Sequence, residues 1–394
     1  MKLNREELDT RLERFCFAMN NEYPEWDTAL ILSRVNQYYF TGTMQDGLLV
    51  IKNDGQIYYF VRRSFERARD ESPVDGLYPM NSYRDAAAVL GSELGHTFIE
   101  KEIMTLAIME RLTKTFHMET VNALDKTVLA VRSIKSPYEL YWMEESGKAH
   151  CEFLENVVPS MLREGISEAE LVGEMFDAMV KRGYHGVSRF AMFQTEMVVG
   201  QVAFGENSLY PTSFDGPGGA AGISPAVPLL GSRERKLKAG DLVFVDIGFG
   251  INGYHSDKTQ VYSFKQQPSG DVVEAHRACI AVQRRLAVML QPGAIPVDIY
   301  NTVNNELDAD FKRNFMGYGS RQAKFFGHGI GLHVDEWPVI ANGCTEPLME
   351  NMALAIEPKK GMPGVGMVGV EDTFVVTPDG GRCITGGGRD IILV

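Results

Sequence analysis

The sequence predicts an α+β protein of two domains, and three observations support this prediction. The chain has 394 residues, which is too many for one ordinary hydrophobic core. A break at Ser136-Pro137 separates a first third of short, mixed elements from a longer remainder. In that remainder, helical patterns alternate with runs of strand patterns, an order typical of helices packed on an antiparallel sheet.

The first third of the chain predicts short strands and helices. The segment ALILSRVNQYYFTG predicts a strand and its exit. The segment GLLVIKNDGQIYYFV predicts two strands around a turn at Asn53-Asp54-Gly55. We place the boundary near VRSIKSPYEL, which gives an N-terminal domain at 1–133 and a second domain at 134–394.

The second domain is predicted to contain four helices. From Leu140, a long helix carries apolar residues at alternating steps of three and four, on a face that includes His150. On such a face, His150 is expected to be a core histidine. A second helix begins at Ser167, where Glu170 completes a capping box. Two further helices are predicted within Val272–Leu290 and Val297–Phe311.

Strand patterns follow and separate these helices. Four segments carry them: DLVFVDIGFG, YHSDKTQVYSF, ENMALAIEPKK and VGMVGVEDTFVVT. Helix pairs combined with such strands predict a curved antiparallel sheet backed by two helix pairs.

Composition excludes several classes of function. The net charge of −13, without a basic stripe, disfavours a nucleic-acid partner. No apolar run is long enough to span a membrane, and the charged N-terminus lacks the apolar core of a signal peptide, so neither membrane insertion nor export is expected. The five cysteines are scattered and odd in number, which suits reduced thiols in a cytoplasm.

Acidic residues inside apolar strands are the decisive chemical feature. Asp246, Glu357 and Glu371 each lie in such a strand, where an ionised carboxylate costs several kcal/mol unless it is paired or binds a metal. Alternatively, each acid could lie at a strand end and contact water. Asp246 and Asp257 flank a turn, so they are expected to face each other across a hairpin at about 5 Å. Two charges at that distance repel each other unless a cation lies between them.

A histidine completes the candidate site. His328 lies in FFGHGIGLH, where small neighbours allow a close approach of the backbone and expose the imidazole to a cavity. One imidazole and four carboxylates can hold two divalent ions. This oxygen-rich set favours manganese, iron, cobalt or zinc over a soft metal.

The motifs VDIG, HSDKTQ, GHGIGL, AIEPK and VEDT resemble, in order and spacing, the signature of the pita-bread metallopeptidases. This family includes Xaa-Pro aminopeptidases, Xaa-Pro dipeptidases, methionine aminopeptidases and creatinase. The resemblance implies a creatinase-like N-terminal domain, signalled by NQYYFTG, and a pita-bread catalytic domain. It also implies a homodimer and two divalent ions, with manganese the first choice. The ligands carried over are Asp246, Asp257, His328, Glu357 and Glu371.

Three positions depart from the pattern of proline peptidases. Thr212 and Asp335 stand where these enzymes have histidines that contact the peptide, and Gly369 replaces an arginine. A Gly/Pro-rich segment at 213–232 follows Thr212 and is expected to narrow the cleft. His255 lies two residues before Asp257, so both side chains are predicted to point the same way along a strand.

These features predict a metal-dependent hydrolase that attacks a C–N bond of a small substrate. The resemblance implies an Xaa-Pro dipeptide or peptide as substrate, a metal-bridged hydroxide as nucleophile and Glu357 as base. One alternative is a non-peptidase of the same fold, either a creatinase-like hydrolase or a dimethylsulfoniopropionate-type lyase, with Asp335 or His255 handling a proton. Another alternative is a non-enzymatic binding module.

Overall fold

The computed structural model describes residues 3–192 and 195–394. The chain divides into two compact units, Met1–Arg132 and Ser133–Val394. Within the described residues, none of the helices is both long enough and apolar enough to cross a membrane. The predicted domain boundary between 133 and 134 stays a prediction.

The first unit is a mixed sheet surrounded by helices. The helices are α1 (Arg5–Glu22), α2 (Arg34–Thr41), α3 (Phe65–Glu71), α4 (Tyr83–Leu90), α5 (Leu106–Thr113) and α6 (Asp125–Ser133). The strands are β1 (Thr28–Ile31), β2 (Gly47–Lys52), β3 (Ile57–Val61), β4 (Leu77–Pro79), β5 (His96–Ile99) and β6 (Thr120–Ala123). They form one sheet in the order β4-β3-β2-β1-β5-β6.

Local sequence explains two of these elements. Strands β2 and β3 pair in antiparallel fashion on either side of the predicted turn, where Gly55 takes a positive φ of 82°. The prediction for ALILSRVNQYYFTG missed a helix: β1 is followed directly by α2. Ser33 caps that helix by accepting a hydrogen bond from the Asn36 N–H, and Gly42 ends it in the left-handed conformation.

The second unit combines helices with several antiparallel sheets. Its helices are α7 (Pro137–Glu152), α8 (Val158–Met161), α9 (Glu168–Val180), α10 (Gly270–Met289), α11 (Pro296–Glu306) and α12 (Ala309–Lys312). Its first strands are β7 (Gly200–Phe204), β8 (Leu242–Ile251), β9 (Tyr254–Ser263), β10 (Gly317–Tyr318), β11 (Arg321–Gln322), β12 (Phe325–Gly329) and β13 (Glu336–Ala341). The others are β14 (Ala353–Ile356), β15 (Lys359–Met362), β16 (Gly366–Gly369), β17 (Asp372–Thr377), β18 (Gly380–Cys383) and β19 (Ile392–Leu393).

Two sheets carry the strands that matter for the site. One has the order β13-β12-β14-β17-β18 and the other the order β19-β9-β8-β7, while β15 and β16 form a separate pair. An antiparallel bridge between Thr259 and Glu371 links β9 of the second sheet to the residue that precedes β17. The described strands pair in antiparallel fashion in these sheets except β19, which runs parallel to β9.

The predicted helices are present, with different ends. The capping box at Ser167 and Glu170 is formed, and a second one joins Ser136 to Glu139 at the start of α7. A π-helical stretch at Phe153–Val157 connects α7 to α8. The helix predicted within Val297–Phe311 is interrupted, because the chain becomes extended at Leu307 between α11 and α12.

Candidate metal centre

Asp246 and Asp257 lie on the neighbouring strands β8 and β9 but do not face each other directly. In the register of this hairpin, Asp246 pairs with Thr259, whereas Asp257 pairs with Gly248. The prediction of direct opposition was therefore wrong by two residues. A shift of two residues keeps both carboxylates on the same face of the sheet, where they are diagonal neighbours.

The other three candidates come from the five-stranded sheet. His328 lies in β12, Glu357 follows β14 and Glu371 precedes β17. Gly327 and Gly329 leave room for neighbouring strands, because a Cβ at these positions would lie 2.3 Å from the Ala355 carbonyl oxygen and 2.4 Å from that of Trp337. The glycines around His328 thus permit close packing of the strands, as the sequence predicted.

The five side chains converge into two overlapping groups. Asp257, His328 and Glu371 form one group, and Asp246, Glu357 and Glu371 form the other. Within each group, one ligand atom per residue lies within 4.8 Å of the others. Glu371 belongs to both groups. The residues singled out from sequence are thus brought together, although their roles as metal ligands stay predictions.

His328 is oriented so that one ring nitrogen faces the acids. Its Nδ1 lies 3.0 Å from the Gly329 carbonyl oxygen, which can only accept a hydrogen bond, so Nδ1 carries the proton. Its Nε2 lies 3.6 Å from Glu357 Oε1 and 3.7 Å from Glu371 Oε1. The Nε2 lone pair is therefore directed toward the two carboxylates, as in a metal-binding histidine.

Lys359 is a member of this cluster that the sequence reading did not identify. Its Nζ lies 2.8 Å from Asp246 Oδ2, 2.8 Å from Glu357 Oε2 and 2.7 Å from Glu371 Oε2. The side chain is 0% exposed. The position two residues after Glu357 in a strand-like segment was a usable signal, since alternate residues share a face.

Burial and mutual repulsion dominate the electrostatics of the acids. Burial raises the pKa of Asp257 well above its ordinary range, and the charge of Asp246 adds to this effect. Burial and the charge of Asp257 do the same to the pKa of Glu371. For Lys359, burial would lower the pKa, but the charges of Asp246, Glu357 and Glu371 outweigh it and keep the pKa well above its ordinary value. The cluster therefore favours positive charge at its centre.

The donor set of the first group fits a divalent ion. Two buried carboxylates and one imidazole with a free Nε2 lone pair are ligands typical of manganese, iron, cobalt or zinc. In the second group, the Lys359 ammonium already contacts all three carboxylates.

His255 lies outside the cluster, in contact with a second histidine. Its Nδ1 lies 3.0 Å from the Gly331 carbonyl oxygen, and its Nε2 lies 3.2 Å from His185 Nε2. Burial lowers the pKa of His255 to about 4. Both nitrogens thus contact the protein, and the suggested role of His255 in handling a proton stays a prediction.

One carboxylate oxygen of Asp335, Oδ1, is buried and has no hydrogen-bond partner among the described residues. Burial raises the pKa of Asp335, while the nearby His328 opposes this shift and Asp215 adds to it. Asp335 therefore lies near His328, and its role at the active site stays a prediction.

The Gly/Pro-rich segment after Thr212 packs against strand β7. A Cβ at Gly218 would lie 2.0 Å from Gln201 Oε1, so the segment lies directly on the Gln201 side chain. Gln201 pairs with Asp246 in the sheet, and its buried amide lacks a hydrogen-bond partner among the described residues. Sequence reasoning missed Gln201, because a lone glutamine in an apolar strand carries no motif.

Comparisons with known proteins agree with this architecture. The model of metallopeptidase family M24 matches residues 142–378, and that of the creatinase/prolidase N-terminal domain matches residues 11–134. A protein of Staphylococcus aureus (strain USA300) named an uncharacterized peptidase is 26% identical over 384 residues, which cover 95% of this chain and 99% of that protein.

Solved structures share the fold over nearly the whole chain. A prolidase from Pyrococcus horikoshii OT3 has a TM-score of 0.79 and 21% identity, covering 97% of this chain and 100% of that one. A Xaa-Pro dipeptidase from Bacillus anthracis has a TM-score of 0.79 and 21% identity, covering 98% and 100%. The expected fold, a creatinase-like domain followed by a pita-bread catalytic domain, is confirmed, and so is a metallopeptidase-like hydrolase. Since the first family model covers more than half of its length, the chain belongs to metallopeptidase family M24.

Proposed function

We propose that this chain is a metal-dependent hydrolase that cleaves the C–N bond of an Xaa-Pro dipeptide or a similarly small substrate. The observation that carries the proposal is the convergence of four carboxylates and one imidazole within the catalytic region of an M24 metallopeptidase. Two of the structurally similar proteins are named a prolidase and a Xaa-Pro dipeptidase, which supports this choice of substrate.

The residues of the first group, Asp257, His328 and Glu371, would hold a divalent ion. When bound, such an ion activates water and polarises a carbonyl oxygen. Manganese is our first choice, with cobalt, zinc or iron as alternatives. The family resemblance implies a second divalent ion.

Glu357 is the proposed base and proton carrier. Its Oε2 accepts a hydrogen bond from Lys359, and its Oε1 points toward His328. Burial raises the pKa of Glu357, and the charge of Lys359 opposes that shift. A buried carboxyl with a raised pKa can take up and release a proton nearer to neutral pH than an exposed one.

Asp335 supports a small substrate with positive charge or N–H donors. The buried Oδ1 of Asp335 has no hydrogen-bond partner among the described residues, and such a substrate could donate to it. An ionised Asp335 would repel the oxyanion of a peptide intermediate. We therefore expect weak activity on Xaa-Pro peptides, with dipeptides preferred over longer chains.

The direct test compares the manganese-loaded and the chelator-treated protein on one Xaa-Pro dipeptide. We expect hydrolysis only with metal. The variant Glu357→Gln should lower kcat by about 10²–10⁴-fold, the usual contribution of a general base. Glu350→Gln, which changes an exposed glutamate before β14, should have no effect. Equal activity in the presence of the chelator, or full activity of Glu357→Gln, would contradict the proposal.

A second candidate function is a non-peptidase reaction on the same fold. The observation that favours it is the buried Oδ1 of Asp335, which has no hydrogen-bond partner among the described residues. The family resemblance implies a peptide-binding histidine at this position in proline peptidases. Parallel assays with creatine and dimethylsulfoniopropionate distinguish a creatinase-like hydrolase or a lyase from a peptidase. A non-enzymatic binding module would turn over none of these compounds. The expected homodimer and the cytoplasmic location also remain proposals.

A further inference from the structure

The two groups of the acidic cluster differ in how many of their carboxylates contact Lys359. Each glutamate directs Oε2 toward Lys359 and Oε1 toward His328. Asp246 also contacts Lys359, whereas the structure gives no contact between Asp257 and this lysine. The ammonium therefore contacts the three acids of one metal-capable group, while the other group keeps its imidazole and two carboxylates for an ion.

The hydrogen-bonding capacity of the ammonium is fully used in this position. An ammonium has three N–H donors and no acceptor, and Lys359 has three carboxylate oxygens at 2.7–2.8 Å. A charged amine that is completely buried is stable only with such compensation. Moving Lys359 aside to admit a metal ion would separate it from all three partners.

Strand pairing holds the lysine at this point. Lys359 on β15 pairs with Gly369 on β16. A Cβ at Gly369 would lie 2.6 Å from Lys359 Cα and 2.4 Å from the Pro358 carbonyl oxygen, and Gly369 has a φ of 127°. A glycine at 369 is therefore required for this backbone arrangement. The position of Lys359 therefore depends on the glycine that pairs with it.

A second divalent ion would have to share its ligands with this lysine. The ammonium already contacts Asp246, Glu357 and Glu371, the three acids of that group. An ion placed among these acids would lie next to the ammonium, and two buried cations that close repel each other.

We propose that the Lys359 ammonium is the second cation of this centre. The chain then binds one divalent ion, at Asp257, His328 and Glu371, and the lysine fills the place between Asp246, Glu357 and Glu371. This inference rests on the proposed function only in requiring a divalent ion, and it departs from the two ions that the family resemblance implies.

Metal counting tests this inference without reference to activity. The protein is saturated with manganese chloride, freed of unbound ions by gel filtration and analysed for manganese per chain. We expect one ion in the wild type and two in Lys359→Met. The matched control is Lys360→Met, because the neighbouring Lys360 donates to the Phe311 and Arg313 carbonyl oxygens instead of the cluster. We expect one ion in this control.

A second pair of variants keeps the test decisive if Lys359→Met does not fold. Asp246→Asn changes an acid that contacts Lys359 but is not a ligand of the proposed ion. This variant should therefore still bind one ion. Asp257→Asn changes a ligand of the proposed ion and should reduce the count to none at the same manganese concentration. Equal losses of bound manganese in both variants would overturn the proposed difference between the two groups.

The outcomes separate the two proposals. Two ions in the wild type, or one ion in a folded Lys359→Met, would overturn the role of Lys359, even with normal hydrolysis of Xaa-Pro dipeptides. One ion in the wild type without such hydrolysis would support the role of Lys359 and reject the proposed substrate. A wild type that binds no manganese would overturn both the role of Lys359 and the proposed metal dependence.

Discussion

Glu371 connects the two halves of the centre through its two carboxylate oxygens. Its Oε2 receives a hydrogen bond from Lys359 at 2.7 Å, and its Oε1 lies 3.7 Å from His328 Nε2. The Thr259 hydroxyl lies 3.1 Å from Glu371 Oε2 and 2.9 Å from Asp246 Oδ1, and it can donate to one of them at a time. These contacts hold the acids in place, so the orientation of the cluster is set by the protein itself.

At the residue scale, the acids were predicted and Lys359 was missed, although its position two residues after Glu357 was a usable signal. Carboxylates inside apolar strands are costly enough to indicate a site, and the motif order identified all five candidates. A lysine beside a second lysine ordinarily indicates an exposed position. Lys359 is buried because it contacts the acids, and one of them, Asp246, lies 113 residues away in the sequence.

A substitution at Asp335 tests whether this position faces the substrate. Asp335→His would replace a carboxylate by a neutral hydrogen-bond donor, which can stabilise an oxyanion. We expect kcat/KM for an Xaa-Pro dipeptide to rise by about tenfold or more, a part of the roughly hundredfold that one such donor contributes. The control Asp379→His changes an exposed aspartate between β17 and β18 and should have no effect. An unchanged kcat/KM in Asp335→His would reject this role.

At the element scale, the strands break where the acids lie. The segments ENMALAIEPKK and VGMVGVEDTFVVT were each predicted as one strand, but the structure divides the first into β14 and β15 and the second into β16 and β17. The breaks fall at Glu357-Pro358 and at Val370-Glu371. Periodicity alone could not reveal them, because each half is a strand of only four to six residues. The breaks leave the two glutamates at strand ends, where their carboxylates meet those of β8 and β9.

Gly369→Ala tests the strand pair that holds Lys359. The added Cβ would lie 2.4 Å from the Pro358 carbonyl oxygen, at a φ that side chains rarely adopt. We expect the free energy of unfolding to fall by about 1–3 kcal/mol, measured by urea denaturation. The control is Gly173→Ala within α9, where a Cβ meets nothing within 4 Å. This variant should keep or gain stability, by about 0.5–1 kcal/mol. Equal stability of both variants would contradict the required role of Gly369.

At the scale of the whole molecule, helix and strand patterns were sufficient for the fold class. The two compact units and the M24 fold agree with that prediction. The register of the β8–β9 hairpin was not predictable from the turn alone, since it places Thr259 and not Asp257 opposite Asp246. Registers and side-chain pairings depend on contacts distant in sequence, and these decide the details of the site.

The stability of the molecule should depend on pH through its buried histidines. Burial lowers the pKa of His150 well below its ordinary value of 6.5, so the folded protein keeps this imidazole neutral while the unfolded chain protonates it. The unfolded state then binds more protons, and the free energy of unfolding falls as pH decreases below about 6.5. When the pH is lowered from 7.5 to 5.5, this histidine should lower the free energy of unfolding by about 1 kcal/mol.

Comparison with His150→Gln isolates this effect from that of the buried acids, whose raised pKa values act in the opposite direction. Urea denaturation of both proteins at the two pH values measures it. We expect the variant to lose less stability than the wild type on acidification. Identical losses in the two proteins would contradict the account of His150 as a neutral core histidine.

We propose that an ion and a lysine share this acidic cluster. Anomalous X-ray diffraction from manganese-soaked crystals, recorded at the manganese edge, locates bound ions directly. We expect a single anomalous peak within the group Asp257, His328 and Glu371, with Lys359 in contact with Asp246, Glu357 and Glu371. A second peak between those three acids, or no peak in the cluster, would contradict it.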